Sequence, residues 1–137
     1  MADWKTVRYD PNYEEPLDPE IIPLCDALNA AGFVTTSSCR GVGHGAGWPY
    51  VCFQHSSDER IESLARFVKA TERGDYRQHF SMWQKEILED GYAWCVEIHC
   101  NGIYSNTPPQ EALQQAVEAI NAVAKAVTAW SDSRKEG

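Results

Sequence analysis

Apolar positions recur along this chain with two different periods, and the two periods divide it into helices and strands. Ile21, Leu24, Cys25 and Leu28 are spaced as one helical face, which predicts a helix over residues 20–31 that stops at Gly32. Pro23 has no amide hydrogen, so it belongs in the first turn of that helix. Ile61, Leu64, Ala65 and Val68 mark a second helix, opened by a capping box of Ser56 and Glu59 and ending near Gly74. For the third, Thr107 serves as cap, Pro108 as first helical residue and Gln110 as the returning partner. Leu113, Val117, Ile120, Ala124 and Val127 then form its apolar stripe, among alanines that let a neighbouring element approach closely.

A period of two appears over 33–38, 49–55 and 92–100. In the last of these Trp94, Val96, Ile98 and Cys100 share one face, while Ala93, Cys95, Glu97 and His99 share the other. Residues 75–88 carry both signals: Tyr76, Phe80, Trp83 and Ile87 have helical spacing, yet the sequence EDGY that follows is a hairpin turn. The turn favours a strand over 81–88, paired through Asp90 and Gly91 with the next one. The expected fold is α+β, a two-layer sandwich with three helices on one face of a mostly antiparallel sheet of about four strands. It forms a single domain over 1–137, with an extended amino-terminal arm over 1–19 and a frayed carboxyl end over 131–137.

With 137 residues, 43% of them hydrophobic and five of them tryptophan, the chain is large enough to pack a core without a disulfide or metal staple. The formal net charge of -8 excludes an extensive nucleic-acid surface or attachment to an anionic membrane, both of which need a positive field. The most apolar stretch, in the last helix, is broken by Gln114, Gln115, Glu118, Asn121 and Lys125, so no membrane span is expected. Cys25, Cys39, Cys52, Cys95 and Cys100 make an odd count with no CxxC pair, and the start carries no leader; together these point to a reducing, cytoplasmic setting.

Candidate chemistry concentrates in TTSSCRGVGHGAG, residues 35–47. Gly41, Gly43, Gly45 and Gly47 permit close backbone approach and exposed amides, Ser37 and Ser38 add hydroxyls, and Arg40 can clamp a carboxylate or phosphate. Trp48, Tyr50, Trp83, Tyr92 and Trp94 can stack a base or adenine ring, but an α+β core would use most of them; Trp48, directly after the glycines, is the one placed to cover an apolar ring. That pattern describes a ligand turn for a small anionic or nucleotide-like molecule, and equally a glycine-rich hairpin connection. Cys39 beside Arg40 is a candidate nucleophile with His44 as its base, or a small apolar residue at a strand end. Cys95, Glu97 and His99, with Cys39 or His44, are the available metal donors, but without a recognised ligand spacing a metal is not expected. Glu97 and His99 also form a candidate acid/base pair, or a solvated sheet face. Cys100 lies on the apolar side and reads as core.

The segment PLCDALNAAGFVTTSSCRG resembles the amino-terminal region of the tRNA wybutosine-synthesising methyltransferase family at Ser37, Ser38, Cys39 and Gly41. Arg40 stands where that family commonly has serine, and Val42 where it has arginine. The resemblance implies a similar strand and ligand turn, S-adenosylmethionine as cofactor, and a small transferase. Two functions of different class follow: a small-molecule or nucleotide-binding domain, enzymatic or not, and a non-enzymatic acidic inhibitor or assembly protein acting as a homo-oligomer through the alanine-rich helix.

Overall fold

The computed structural model describes residues 18–41, 48–54, 57–72, 79–88, 91–104 and 106–135. Four strands, β1 (Thr35–Cys39), β2 (Tyr50–Gln54), β3 (His79–Leu88) and β4 (Gly91–Cys100), form one antiparallel sheet in the order β1-β2-β4-β3. Three helices, α1 (Ile22–Ala30), α2 (Asp58–Glu72) and α3 (Pro109–Lys135), form the second layer, so the two-layer α+β arrangement expected from the sequence is the one observed. A 3-10 turn, Pro19–Ile21, leads into α1.

Each helix end has a local cause. Gly32, at φ +98°, closes α1 in a Schellman turn: its amide donates to Asn29 O at 3.0 Å and the Phe33 amide to Leu28 O at 3.0 Å. Asn29 Nδ2 then donates to Thr35 Oγ1 at 2.9 Å, tying the helix to the first residue of β1. The cap of α2 is Ser57, whose Oγ accepts the Arg60 amide at 3.4 Å; the expected Ser56 lies outside the described residues. Thr107 does not cap α3. Its Oγ1 accepts the Tyr104 amide at 2.7 Å, and the helix begins at Pro109, one residue later than expected. That helix also continues to Lys135 through a segment expected to fray, because Trp130 and Ser131 are buried and the Trp130 indole donates to Ser63 Oγ at 3.2 Å.

The core lies between the layers. Val51, Phe53, Trp94, Val96 and Ile98 meet Ile21, Leu24, Leu28, Ile61, Leu64, Val68, Ile120, Val123 and Val127 there. Burying each large aliphatic or aromatic side chain of this set contributes about 1.5–3 kcal/mol. Of the expected α3 stripe, Ile120, Ala124 and Val127 are buried and Leu113 and Val117 only half-buried. Ala112, Ala116, Ala119 and Val123 widen the buried face, because small residues allow α1 to pack closely against the helix. The alanine face is thus covered within the chain.

Residues 79–88, where helical and strand signals conflict, are the strand β3. The Leu88↔Gly91 pairing leaves a two-residue connection to β4, in keeping with the hairpin. Helix α2 covers the outer edge of this strand. Glu72 Oε1 and Oε2 both accept the Ser81 amide at 3.1 Å, and Lys69 Nζ donates to Ser81 O at 2.8 Å.

Candidate functional site

Residues paired directly across antiparallel strands point to the same side of the sheet, so the ladder registers sort every side chain. Val51, Phe53, Trp94, Val96, Ile98 and Cys100 point to the helices and are buried. On the open side, Ser37, Cys52, Cys95 and Gln84 form one row, and Cys39, Tyr50, Glu97 and Met82 form the next. His99 pairs with Phe80 at the end of the sheet nearest Trp48. The division of β4 into a Trp94 face and a Glu97–His99 face is as the alternation predicts.

A bulge decides which residues of the opening segment reach this face. Thr35 pairs with Phe53 but Ser37 pairs with Cys52, so Thr36 is an extra residue in β1. Regular alternation would place Thr35 and Ser37 on one side. The bulge instead leaves Thr35 buried on the helix side, bonded to Asn29, and turns Ser37 and Cys39 to the open side.

The candidate residues consequently separate. Ser37, Cys39, Glu97 and His99 share the open face, with Trp48 packed against its end. Ser38 pairs with Val51 and points to the helix side, where its Oγ is buried with no hydrogen-bond partner among the described residues. The guanidinium of Arg40 pairs with Glu20 at 3.2 Å, and its amide donates to Asp18 Oδ2 at 3.0 Å; in this structure Arg40 ties the end of β1 to the turn before α1. Gly43 and His44, with Gly45 and Gly47, lie outside the described residues. Gly41 is described and has φ +78°. A Cβ there would fall 2.6 Å from Pro49 N, so the chain leaving β1 passes directly against the chain entering β2.

The best-ordered chemistry surrounds His99. Its ring lies between Phe80, stacked at 4.9 Å and 20°, and Trp48 at 5.1 Å and 31°. Its Nε2 is 2.6 Å from Glu97 Oε1. The carboxylate fixes the imidazole by a charge-assisted bond and the two rings hold its plane, an arrangement suited to binding and to proton transfer. Tyr50, which pairs with Glu97, is half-buried, and its phenol is raised above its ordinary value of 10.0. Burial is the main cause, a hydrogen bond with Ser37 opposes it, and the Cys39, Cys52 and Cys95 thiols add to it. Tyr50 therefore keeps its proton across the whole neutral range and can donate a hydrogen bond.

Phe80 belongs to this cluster although the sequence drew no attention to it as a site residue, and Tyr50, one of the aromatics the sequence offers for stacking, joins it. Tyr50 could have been placed from the alternation of β2, since Val51 and Phe53 are its core positions. Phe80 lies in the segment whose periodicity was helical. Cys100 is buried on the helix side as expected, and burial pushes its thiol up to about 11. Among the described residues, no group of three or more His, Cys, Asp or Glu side chains is placed to hold one metal ion, and no helix is long and apolar enough to cross a membrane.

Fold and site together define a two-layer α+β domain with an aromatic-flanked Glu–His pair on the sheet face away from its helices. Comparison with protein-family models, curated proteins and solved structures found no match to the chain.

Proposed function

We propose that the chain is a small-molecule-binding domain whose ligand, a nucleoside-like compound, lies on the open sheet face against Trp48, Tyr50, Glu97 and His99. The observation that carries this is the His99 imidazole, held in plane by Trp48 and Phe80 and in orientation by Glu97 at 2.6 Å. Half-buried aromatic rings offer stacking to a planar base, and Tyr50, Glu97 and His99 offer a donor, an acceptor and a group that can be either. Among the described residues the strands put no lysine or arginine on this face, and Lys69 of α2 lies at its edge, with Nζ 5.5 Å from the centre of the Phe80 ring and 2.8 Å from Ser81 O. The electrostatics therefore favour a neutral or cationic ligand over a polyphosphate.

S-adenosylmethionine, the cofactor implied by the wybutosine-family resemblance, fits in part. Its adenine suits the aromatic rings and its sulfonium suits Glu97, while the strands offer its carboxylate no lysine or arginine on this face among the described residues. The proposal is accordingly one of binding, with methyl transfer as its enzymatic extension and a reducing cytosol as its setting. The test is calorimetric titration of the wild type and Trp48→Ala with adenosine, adenosine monophosphate and S-adenosylmethionine. Adenosine and S-adenosylmethionine are expected to bind more tightly than the monophosphate, and loss of the Trp48 ring to weaken them by about tenfold or more. Absence of binding by all three, or equal affinity in the variant, would overturn the reading.

The acidic inhibitor or assembly protein remains the alternative. Its homo-oligomer would have to use another surface than the α3 alanines, such as the open face around Met82, which is 37% exposed. Light scattering that returns a dimer which adenosine neither binds nor dissociates would favour it.

A further inference from the structure

Cys52 and Cys95 are direct partners in the β2·β4 ladder and both point to the open face. The hydrogen bonding of that ladder fixes what kind of pair they are. The Ile98 amide donates to Pro49 O at 2.8 Å, which makes Pro49 and Ile98 a hydrogen-bonded pair. Such pairs alternate along an antiparallel ladder, so Tyr50/Glu97 is non-hydrogen-bonded, Val51/Val96 hydrogen-bonded, and Cys52/Cys95 non-hydrogen-bonded. In a non-hydrogen-bonded pair the Cα atoms lie about 4.5 Å apart with their side chains turned toward each other. A disulfide requires about 4.4–6.8 Å between Cα atoms, so this pair can close without moving the backbone, at the short end of the range. A bond formed at that end is expected to be readily reduced.

The other thiols stand differently. Cys39 pairs with Tyr50 and is therefore diagonal to Cys52, farther away than a direct partner. Its Sγ accepts the Gly41 amide at 3.2 Å. Cys25 and Cys100 are buried in the core on the helix side. Of the facing pair, Cys52 is half-buried and Cys95 is 9% exposed, which makes Cys52 the thiol that meets a reagent from solution and Cys95 the one that resolves the product.

We propose that Cys52 and Cys95 are a redox-active dithiol that closes to an intramolecular disulfide by exchange with a small disulfide such as oxidised glutathione. The Cys52 thiol loses its proton and its sulfur attacks one sulfur of glutathione disulfide. That bond breaks, and the first glutathione leaves as a thiolate that takes up a proton. The Cys95 thiol, deprotonated in turn, attacks Cys52 Sγ in the mixed disulfide and releases the second glutathione. Two protein thiols are oxidised and one glutathione disulfide is reduced to two thiols. The site is independent of the nucleoside proposal, because it needs the β2·β4 register and no ligand.

The test treats native full-length protein with oxidised glutathione, followed by acid quench, alkylation under denaturing conditions, and mass spectrometry. Trypsin separates Cys39, Cys52 and Cys95 by cutting at Arg40, Arg60 and Lys85, and a Glu-specific protease separates Cys95 from Cys100 at Glu97. Before alkylation the expected product is lighter than the reduced protein by about 2 Da and returns to the starting mass with dithiothreitol. After alkylation it is cross-linked between Cys52 and Cys95 and has Cys25 and Cys100 alkylated. Cys95→Ser, checked for native secondary structure by circular dichroism, should stop at one glutathione on Cys52. The proposal is overturned if the wild type accumulates a stable glutathione adduct, if its main cross-link joins Cys39 to Cys52, or if all five thiols survive.

Discussion

Cys100 ends β4 on the helix side, where burial pushes its thiol up to about 11 from an ordinary 9.0. A thiol in the unfolded chain ionises above its ordinary value while the folded one stays protonated, so the folded state loses ground as pH rises between the two values. The contribution of Cys100 to stability is therefore complete below pH 9.0 and is lost, by roughly 2–3 kcal/mol, on the way to about 11. Tyr50, also raised by burial, adds to the loss above its ordinary 10.0. Urea midpoints measured from pH 8 to 11 should decline less steeply for Cys100→Ala than for the wild type; parallel decline would contradict the burial account. At this scale the sequence was legible wherever a regular period held: Cys100 in the core, and Glu97 beside His99, follow from β4 alternation alone. Which of Ser37 and Ser38 faces the open side was not legible, because the bulge at Thr36 shifts the ladder by one residue and no local composition announces it. Arg40 reads as an anion clamp beside glycines, and its pairing with Glu20 depends on a tertiary contact twenty residues away in the chain.

Among the elements, β3 is an edge strand made safe by α2. Ser81 is fully buried, and its amide has the Glu72 carboxylate for a partner in place of another strand. Glu72→Ala leaves that buried amide unpaired and should cost about 1–3 kcal/mol, where Glu72→Gln, which keeps an acceptor, should cost less. Chemical denaturation compares the two, and equal losses would mean that Glu72 holds the edge by charge alone. This edge explains why residues 79–88 were hard to assign. On the helix side Ser81 and Lys85 carry polar partners from α2 and the Trp83 indole donates to Ser81 Oγ, so the strand lacks the clean apolar alternation of β4. The turn after it was the more reliable signal. The start of α3 was displaced for a comparable reason, since Thr107 spends its hydroxyl on the Tyr104 amide.

For the whole molecule, one sheet face is committed to the core and the other carries Tyr50, Glu97, His99 and three of the five thiols. A formal charge of -8 spread over such a domain disfavours polyanionic partners and agrees with a ligand that is neutral or cationic. The layer architecture was legible in the sequence because helical and strand periods alternate along it; the open face was not, because its composition depends on strand order and on a single bulge. Its proposed role as a binding surface is tested most directly by a nitrogen–proton correlation titration of the labelled protein with adenosine. Shifts should concentrate at the Trp48 indole and at the amides of Tyr50, Glu97 and His99, leaving α1 and α3 unmoved. Shifts confined to the helices, or a spectrum unchanged at saturating adenosine, would contradict it.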